Sequence, residues 1–293
     1  MMAEVFAPAT TANLGPGFDV FGAALDLEAG FLVREGAGGY VWPEGLTQPP
    51  GRNLFLAAFS AAFAARGAAA PEVCVEVSQM LPLRSGLGSS ASAICAGLTA
   101  AGLFLERPLA VTEALRIAAG IEGHPDNVAA CLMGGVTIAS GVQDPIVRRL
   151  PAPPLRAIAL YPGGATSTPS ARAALPRLVA REDAVHNVGR ASLLVYALIE
   201  GDYALLREAT ADRLHEEQRL DSCEWCGAAR DAAFAAGALA MPVSGSGPTM
   251  LALARPADAP AVLRALAPFA AGRPDARIWD LAFSDRAARS RFL

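Results

Sequence analysis

The sequence contains no lysine, because all 24 residues counted as Lys+Arg are arginine. This absence excludes three classes of protein. A P-loop nucleotide site needs a lysine on the phosphates, a pyridoxal enzyme needs a Schiff-base lysine, and a protein kinase needs a strand lysine. An anionic ligand would have to be bound by arginines positioned at its binding site.

An excess of basic charge is also lacking. The formal net charge is −4 and the sequence pI is about 5.5, so we expect no nucleic-acid partner. The first residues have neither a basic region nor an apolar signal core. The uncharged run 85–105 has too few large apolar side chains for a spanning helix, so we expect no membrane association either.

Cysteine is scarce, with five residues in the chain. Three of them, Cys74, Cys95 and Cys131, lie among apolar residues. Cys223 and Cys226 have CxxC spacing, but no second pair and no nearby histidine completes a zinc site. We interpret the cysteines mainly as small buried hydrophobic residues in a reducing compartment, and expect a cytoplasmic protein.

The length of 293 residues predicts two domains of roughly 150 residues each. The best boundary is the segment 148–154, where arginines and prolines interrupt the pattern. We therefore expect domains over 1–150 and 151–293. Strands and helices that alternate through short connections favour an α+β fold without an internal repeat.

Local patterns predict the main elements. A strand over 4–9 is expected to lead into an irregular loop over 10–18, because Gly-Pro-Gly is incompatible with a helix or a central strand. Apolar residues at helical spacing predict helices, and the segments concerned are 53–66, 91–105, 109–119, 184–200 and 203–213.

A Gly/Ser-rich segment, Gly86–Ala91, immediately precedes a predicted helix. Glycines let the backbone approach an anion closely, and the first turn of a helix presents free N–H groups. The pattern indicates a phosphate site, although a flexible loop with serine caps explains it equally well. A nucleotide triphosphate brings Mg²⁺, for which Ser90 and Glu122 are candidate ligands and Asp126 is a competing carboxylate.

Four segments together resemble the GHMP small-molecule kinases, and their order along the chain is the same. Within that superfamily, the first two segments resemble the homoserine kinase family in particular. The segments are Ala7–Asp19 (APATTANLGPGFD), Pro82–Ala91 (PLRSGLGSSA), Glu122–Val128 (EGHPDNV) and Val243–Thr249 (VSGSGPT).

The resemblance implies a fold and an activity. It implies an N-terminal domain like ribosomal protein S5 domain 2 and a C-terminal ferredoxin-like domain, with ATP and substrate between them. It also implies Mg²⁺-dependent transfer of a phosphoryl group from ATP to the side-chain hydroxyl of L-homoserine. The product would be O-phospho-L-homoserine, a step of threonine biosynthesis.

The resemblance also assigns roles to residues at matching positions. The phosphates and the nucleotide would contact Pro82, Arg84, Ser85, Gly86, Leu87, Gly88, Ser89, Ser90, Ala91 and Asn53. L-Homoserine would contact Asn13, Asp19, His124, Arg172 and Arg219, and Mg²⁺ would contact Ser90 and Glu122. Asn127 and Arg219 would stabilise the transferring phosphoryl group, and Thr168 is a weaker candidate for the active site.

Structural interpretations of the same residues remain open. Asn53 also suits a helix N-cap, Asn13 and Asp19 suit an Asx-turn, and either arginine suits a solvated helix face. The chain has no lysine to assist a base, and the resemblance to the homoserine kinase family implies a mechanism without a general base, which we favour over one in which Asp126 is the base.

Other functions were weighed against these observations. The nearest alternative is a GHMP kinase for mevalonate, a sugar or shikimate, but two arginines with Asn13 and Asp19 suit a zwitterionic amino acid better. A nucleotide-binding protein without catalysis would be expected to lack Ser90, Glu122 or Asn127. The negative net charge of the chain disfavours an RNA-binding module. Alanine-rich helix faces would permit a homodimer without demonstrating one.

Overall fold

A computed structural model of the chain describes residues 1–42, 53–164, 168–220, 223–273 and 275–293, without the side chains of 168–170. The strands are β1 Met2–Asn13, β2 Gly17–Glu35, β3 Gly39–Val41, β4 Val73–Gln79, β5 Val136–Ser140, β6 Ile146–Leu150, β7 Arg156–Tyr161, β8 Met250–Ala254, β9 Arg277–Ala282 and β10 Arg289–Phe292. The helices are α1 Leu54–Ala64, α2 Ser89–Ala101, α3 Val111–Glu122, α4 Asp126–Met133, α5 Thr168–Ala173, α6 Arg181–Glu200, α7 Leu206–Ala209, α8 Glu216–Leu220, α9 Cys226–Ala235 and α10 Ala259–Ala270.

A seven-stranded sheet forms the larger of the two layers of strands. Its order is β10-β1-β2-β4-β3, with β5 paired to β2 and β6 paired to β5. Strand β2 is 19 residues long, so its first part pairs with β5 through Phe21 and its second part with β4 through Val33. Helices α2 and α4 lie against this sheet, α1 and α3 pack on these helices, and together they bury side chains such as Phe55, Ile94 and Leu115.

A three-stranded antiparallel sheet of order β8-β7-β9 forms the second layer. Helices α9 and α10 pack together beside it. They enclose a separate apolar core that includes Ile158, Leu160, Met250, Val262 and Leu266. Two sheets, each covered by helices, give the α+β class predicted from the sequence.

The chain returns to the large sheet at its end. Strand β10 pairs antiparallel with β1, with Val5 opposite Ser290, and Phe283 forms a bridge to Leu25. The last segment of the chain therefore completes an edge of the first sheet. The division into 1–150 and 151–293 stays a prediction.

The loop expected over 10–18 is mostly strand, and that expectation was wrong. Strand β1 continues to Asn13 and β2 begins at Gly17, so only Leu14–Pro16 form the turn. Register shifts in the β1–β2 pairing near Pro8 and Asn13 accommodate the irregular sequence. Ordered strands on both sides of a short turn fix the side chains of this segment.

Most predicted helices are confirmed, whereas the helix expected over 203–213 is much shorter. The structure has a 3₁₀ turn over Tyr203–Leu205 and then only α7. Thr210 ends α7, where its hydroxyl donates to the carbonyl of Leu206 at 2.8 Å. The carboxylate of Asp212 then accepts N–H groups at the start of α8, because this side chain favours a cap over a helix interior.

The interpretation of the CxxC pair as free thiols is corrected. Cys223 and Cys226 form a disulfide, with Cα atoms 5.4 Å apart, and Cys226 is the first residue of α9. Cys95 and Cys131 are free and buried as expected, and Cys74 is free and half-buried. None of the described helices has the length and apolar character that crossing a membrane requires.

Candidate active site

A cavity of about 720 Å³ brings together side chains from segments that lie far apart in the sequence. It is lined by Asn13, Phe18, Asp19, Leu54, Arg84, Gly86, Gly88, Ser89, Ser90, Ile121, Glu122, Gly123, His124, Asp126, Asn127, Arg172, Arg219, Gly245 and Ser246. Each of the four motif segments contributes to this lining. A single site therefore contains most of the residues predicted from the sequence.

The Gly/Ser segment reaches the cavity at the N-terminus of α2. Gly88 is the N-cap residue with φ of 70°, and a Cβ there would lie 1.9 Å from Oγ1 of Thr10. Gly86 has φ of 87°, and its Cβ would lie 2.3 Å from the carbonyl oxygen of Ser244. Both positions therefore require glycine. The free N–H groups and the dipole of α2 favour an anion at this end of the cavity.

The segment Val243–Thr249 joins this loop to the β1–β2 turn. The hydroxyl of Ser244 donates to the carbonyl of Gly86 at 2.7 Å, and the Gly245 N–H donates to the carbonyl of Ala12 at 3.1 Å. The side chain of Asn13 donates from Nδ2 to the carbonyl of Gly245 at 2.9 Å. These bonds hold three of the four motif segments in one rigid arrangement.

Asn127 lies in the first turn of α4, and a hydrogen bond from Thr10 fixes the orientation of its side-chain amide. The Thr10 hydroxyl donates to Oδ1 of Asn127 at 2.7 Å, and both residues are buried. Because Oδ1 accepts this bond, the donors of the amide are those of Nδ2, which makes only a long contact of 3.5 Å with Oδ1 of Asp126. The arrangement suits a donor to a negatively charged group.

His124 and Asp126 form a close pair on the wall of the cavity. Their Nδ1 and Oδ1 atoms are 2.5 Å apart, and the same oxygen accepts the backbone N–H of Asn127 at 2.7 Å. Burial lowers the pKa of His124, but the hydrogen bond and charge of Asp126, together with Glu122, outweigh burial and raise the pKa overall. The pair therefore favours a protonated imidazole beside a carboxylate.

Ser90 and Glu122 are adjacent in the cavity lining, and Oε1 of Glu122 lies 4.0 Å from Nε2 of His124. The Ser90 hydroxyl donates to Oε1 of Glu122. Burial raises the pKa of Glu122, and the bond from Ser90 opposes this rise. A buried carboxylate beside a hydroxyl oxygen is a donor set that suits Mg²⁺, because a hard cation would offset the cost of burying the charge.

Another group of possible metal ligands lies nearby. Asp19, His124 and Asp126 offer ligand atoms within 4.8 Å of one another, and no other such group is found in the described ranges. Asp19 is already bonded to Arg172, and Asp126 is bonded to His124. Each member of this group therefore already has a partner, as Ser90 and Glu122 have in each other.

Arg172 and Asp19 form a bidentate ion pair in the lining of the cavity. Arg172 donates from Nη1 to Oδ2 of Asp19 at 2.8 Å and from Nη2 to Oδ1. Asp19 has φ of 59° and its N–H donates to Oδ1 of Asn13. The bond with Asp19 outweighs partial burial and raises the pKa of Arg172. In this structure the carboxylate bound by Arg172 is that of Asp19.

Arg219 extends from the short helix α8 and also lines the cavity. Its Nη1 donates to the carbonyl of Gly245 at 2.7 Å and to Nδ1 of His215 at 2.7 Å. The Nε atom is buried and has no hydrogen-bond partner among the described residues. The Phe18 ring lies 5.6 Å from the guanidinium of Arg219 and 5.2 Å from that of Arg172.

Five predicted residues whose side chains the structure describes do not line the cavity, and these are Asn53, Pro82, Ser85, Leu87 and Ala91. Leu87 and Ala91 are core side chains, and Ser85 bonds to the carbonyl of Pro82 within the loop. Asn53 caps α1, with Oδ1 accepting the N–H of Leu56 at 3.0 Å, which matches the alternative interpretation. Thr168 begins α5, but its side chain lies outside the described part of the chain.

Sequence reasoning missed Thr10, Phe18 and His215. Thr10 and Phe18 belong to the first motif segment. Their residue types alone do not predict that the Thr10 hydroxyl bonds to Asn127 or that the Phe18 ring lies near Arg172 and Arg219. His215 lies four residues before Arg219, which is one helical turn. That spacing could have predicted that the side chains of His215 and Arg219 are in contact.

The fold and the cavity define a small-molecule kinase of the GHMP class. The family model of the GHMP kinases N terminal domain matches residues 53–135, and that of the GHMP kinases C terminal matches residues 194–271. The first match covers the Gly/Ser loop, Glu122 and Asn127, and the second covers Arg219 and Gly245.

Similarity to individual proteins narrows this class. The chain is 40% identical over 258 residues to homoserine kinase of Desulfitobacterium hafniense, covering 86% of this chain and 87% of that protein. It is 41% identical over 269 residues to homoserine kinase of Gloeobacter violaceus, covering 89% and 90%. The crystal structure of homoserine kinase from Cytophaga hutchinsonii superposes with a TM-score of 0.88 at 28% identity, covering 99% and 97%. The chain belongs to the homoserine kinase family, and the prediction of a kinase with the two-domain GHMP fold is confirmed.

Proposed function

We propose that this protein transfers the γ-phosphoryl group of ATP to the side-chain hydroxyl of L-homoserine and forms O-phospho-L-homoserine. The observation that carries the proposal is the Asp19–Arg172 ion pair within the cavity that the Gly/Ser loop also lines. A zwitterionic amino acid offers a carboxylate to Arg172 and an ammonium group to Asp19. Each member of the pair then keeps a partner of opposite charge when the substrate enters between them, and a neutral polyol has no charged groups to make the same exchange.

Arg219 supports the same assignment. Its buried Nε lacks a partner among the described residues, and burial lowers its pKa. A buried cation with an unused donor is costly, so an anionic group of a substrate would stabilise it. Asn13 and Phe18 limit the space beside this arginine, which favours a small substrate.

The end of the cavity formed by the Gly/Ser loop suits the phosphates of ATP. The backbone at 86–91 and the N-terminus of α2 offer N–H donors without a lysine. Ser90 and Glu122 would hold Mg²⁺, which supplies charge neutralisation on the phosphates when bound. Arg84, Gly88 and Ser89 line the same end.

The transfer step is proposed to need no general base. The substrate hydroxyl oxygen forms a bond to the γ-phosphorus as the bond from phosphorus to the bridging oxygen of ADP breaks, and the hydroxyl proton leaves to a phosphoryl oxygen. The transition state is loose and gains chiefly from positioning and charge stabilisation. Asn127 Nδ2 and the Arg219 guanidinium are the donors proposed for this role, since Asp126 is already bonded to His124 and to the Asn127 N–H.

A coupled ADP-release assay tests the substrate. L-Homoserine, mevalonate, galactose and shikimate are compared at equal concentrations with ATP and Mg²⁺, and ³¹P NMR identifies the product. We expect turnover with L-homoserine and none above background with galactose, which is the neutral polyol of the four. Turnover only with a substrate that is not an amino acid would overturn the substrate while leaving the kinase class intact.

A further inference from the structure

A disulfide joins Cys223 and Cys226 at the start of helix α9, and the transfer mechanism proposed above gives it no role. Cys226 is the first residue of this helix of 10 residues. The sequence separation of the two cysteines is three, so the bond closes a short loop and constrains the unfolded chain less than a long-range disulfide would. A CxxC pair at a helix N-terminus is instead typical of cysteines that take part in thiol–disulfide exchange.

The disulfide lines a second cavity, of about 490 Å³, that adjoins the candidate active site. The two cavities share the lining residues Arg219 and Ser246. The residues next to the two cysteines, Glu224 and Gly227, are exposed, so this turn lies at the surface of the protein. A thiol from solvent can therefore approach the disulfide, and the disulfide is close to a residue of the active site.

The two cysteines of the bond are not equivalent. Cys226 is 4% exposed and packs in the smaller apolar core with Ala229 and Ala233, whereas Cys223 is only half-buried. An attacking thiol therefore reaches the sulfur of Cys223 more readily, and the sulfur of Cys226 is the leaving group. Because Cys226 lies in the first turn of α9, the free N–H groups and the helix dipole favour its thiolate, and a thiol of lower pKa leaves faster.

The charges that line this cavity favour the same step. Arg219 and Arg273 line it, and none of the described lining residues is acidic. The guanidinium of Arg273 lies 4.8 Å from the centre of the Trp225 ring, and Trp225 lies between the two cysteines in the sequence. Positive charge nearby stabilises a thiolate, which is the form of cysteine that undergoes exchange.

We propose that Cys223 and Cys226 form a thiol–disulfide exchange site for dithiol reductants, and that reduction of this site weakens the positioning of Arg219. A thiolate of the dithiol attacks Sγ of Cys223, the bond between the two cysteine sulfurs breaks, and its electron pair leaves with Sγ of Cys226. The second thiolate of the reductant then displaces Sγ of Cys223 and closes the reductant's own disulfide. The protein thereby gains two electrons and two protons, and the dithiol is oxidised.

The short helix α8 connects the disulfide to the active site. The start of α8 is fixed independently of the disulfide, because the carboxylate of Glu216 accepts a bond from Arg230 at 2.8 Å and one from the N–H of Val243 at 2.6 Å. The last residue of α8, Leu220, accepts the N–H of Cys223 at its carbonyl oxygen, at 2.8 Å. The disulfide therefore anchors the end of α8 to the first turn of α9.

Arg219 lies in the half of α8 that depends on this anchor. Oε1 of Gln218 and Nε of Arg219 are buried without a hydrogen-bond partner in the described part of the chain, and both residues line the cavity of the disulfide. When reduction releases Cys223, the end of α8 is expected to shift and to weaken the bond of 2.7 Å from Arg219 to the carbonyl of Gly245. This consequence rests on the role proposed above for Arg219, whereas the exchange itself does not.

Thiol alkylation followed by mass spectrometry tests the exchange on the full chain. The protein is treated without denaturant, either with oxidised glutathione or with excess dithiothreitol, and its free thiols are then alkylated. Cys223 and Cys226 should be protected after oxidised glutathione and alkylated within minutes after dithiothreitol, while the buried thiols Cys95 and Cys131 stay unmodified in both samples. A disulfide that dithiothreitol reduces only in denaturant, or that does not form with oxidised glutathione, would overturn the proposal.

Steady-state kinetics of the oxidised and reduced forms test the effect on Arg219. Reduction should lower kcat/KM for L-homoserine about 5- to 20-fold, because a displaced donor stabilises the transition state less well. The double variant Cys223→Ser/Cys226→Ser should match the reduced form with or without dithiothreitol. Cys74→Ser is the matched control, since Cys74 is also half-buried but is a free thiol on β4, and it should keep the full response to dithiothreitol.

Arg219→Ala separates positioning of this arginine from a general structural effect. If reduction acts through Arg219, the oxidised and reduced forms of this variant should have equal kcat/KM. Equal kcat/KM for the two forms of the wild type, or an undiminished response in Arg219→Ala, would overturn the control of Arg219. Alkylation reports the exchange without any substrate, so it still tests the site if another acceptor replaces L-homoserine, and the kinetic comparison is then made with that acceptor.

Discussion

Nη1 of Arg219 donates a hydrogen bond of 2.7 Å to Nδ1 of His215. The other ring nitrogen of His215, Nε2, lies 2.8 Å from the carbonyl oxygen of Gly15. Because a carbonyl only accepts, Nε2 carries the proton and Nδ1 has a free lone pair. His215 is fully buried, and burial lowers its pKa. A neutral imidazole therefore connects the β1–β2 turn to the arginine that lines the candidate active site.

Replacing His215 by alanine is expected to lower kcat/KM for L-homoserine about 10- to 100-fold. Arg219 would lose one of two hydrogen bonds, and a bond to a charged group contributes about 1.5–3 kcal/mol. Steady-state kinetics measure the effect. His186→Ala is the control, since Nε2 of His186 lies 3.3 Å from the carbonyl of Ala211, outside the cavity lining. Equal kinetics for the two variants would show that His215 does not position Arg219.

The same imidazole predicts a dependence on pH. The folded pKa of His215 lies below the ordinary value of 6.5, so the folded protein binds this proton less readily than the unfolded chain. The contribution of His215 to stability should be constant above about pH 6.5 and decrease as the pH falls from there through the folded pKa, and the contact with Arg219 should be lost around that folded pKa. In His215→Gln, this contribution to acid destabilisation should disappear. Urea titrations at pH 5 and pH 8 measure the difference.

Asn127 and Arg172 should differ in which kinetic constant they control. Asn127→Ala is expected to lower kcat about 100- to 1,000-fold with little change in KM, as for loss of a donor to the transition state. Thr10→Val should produce a smaller loss in kcat, because Oδ1 of Asn127 would lose its fixed partner. Arg172→Ala should chiefly raise the KM for L-homoserine. A large loss from Asp126→Asn with no effect of Asn127→Ala would reverse the assignment and favour Asp126 as a base.

The pKa of His124 can be measured directly by NMR titration of the ring protons. In the wild type it should lie above 6.5, since Asp126 and Glu122 outweigh the effect of burial. Asp126→Asn should lower it strongly, because Oδ1 lies only 2.5 Å from Nδ1. Glu122→Gln is the matched comparison and should lower it less, since Oε1 lies 4.0 Å from Nε2. The wild-type pair contributes stability below about pH 6.5 that is lost as the pH rises through the folded pKa.

Local sequence signals predicted the parts of the site that depend on neighbouring residues. The Gly/Ser loop was expected before a helix, and α2 begins at Ser89 within it, because glycines and helical periodicity are short-range features. The pairing of Arg172 with Asp19, 153 residues apart, depends on how the two sheets meet. The strand β10 is likewise defined by its distant partner β1, since four residues alone carry too weak a pattern to predict a strand.

Substituting Gly88 by alanine should separate backbone strain from a steric clash. Gly88 and Gly67 have similar φ values of 70° and 67°. A Cβ on Gly88 would lie 1.9 Å from Oγ1 of Thr10, whereas a Cβ on Gly67 would have no heavy atom of the described residues within 4 Å apart from those of its neighbours in the chain. Gly67→Ala should therefore cost only the left-handed conformation, about 1–2 kcal/mol.

Gly88→Ala should destabilise the protein by more than Gly67→Ala, because the clash adds to the same strain. It should also raise the KM for ATP at least about 10-fold, since relieving the contact moves the loop away from the N-terminus of α2. Thermal melting gives the stability difference, and the ATP dependence of ADP release gives the KM. If both variants lost stability equally and kept the wild-type KM for ATP, the loop would not bind phosphate as proposed.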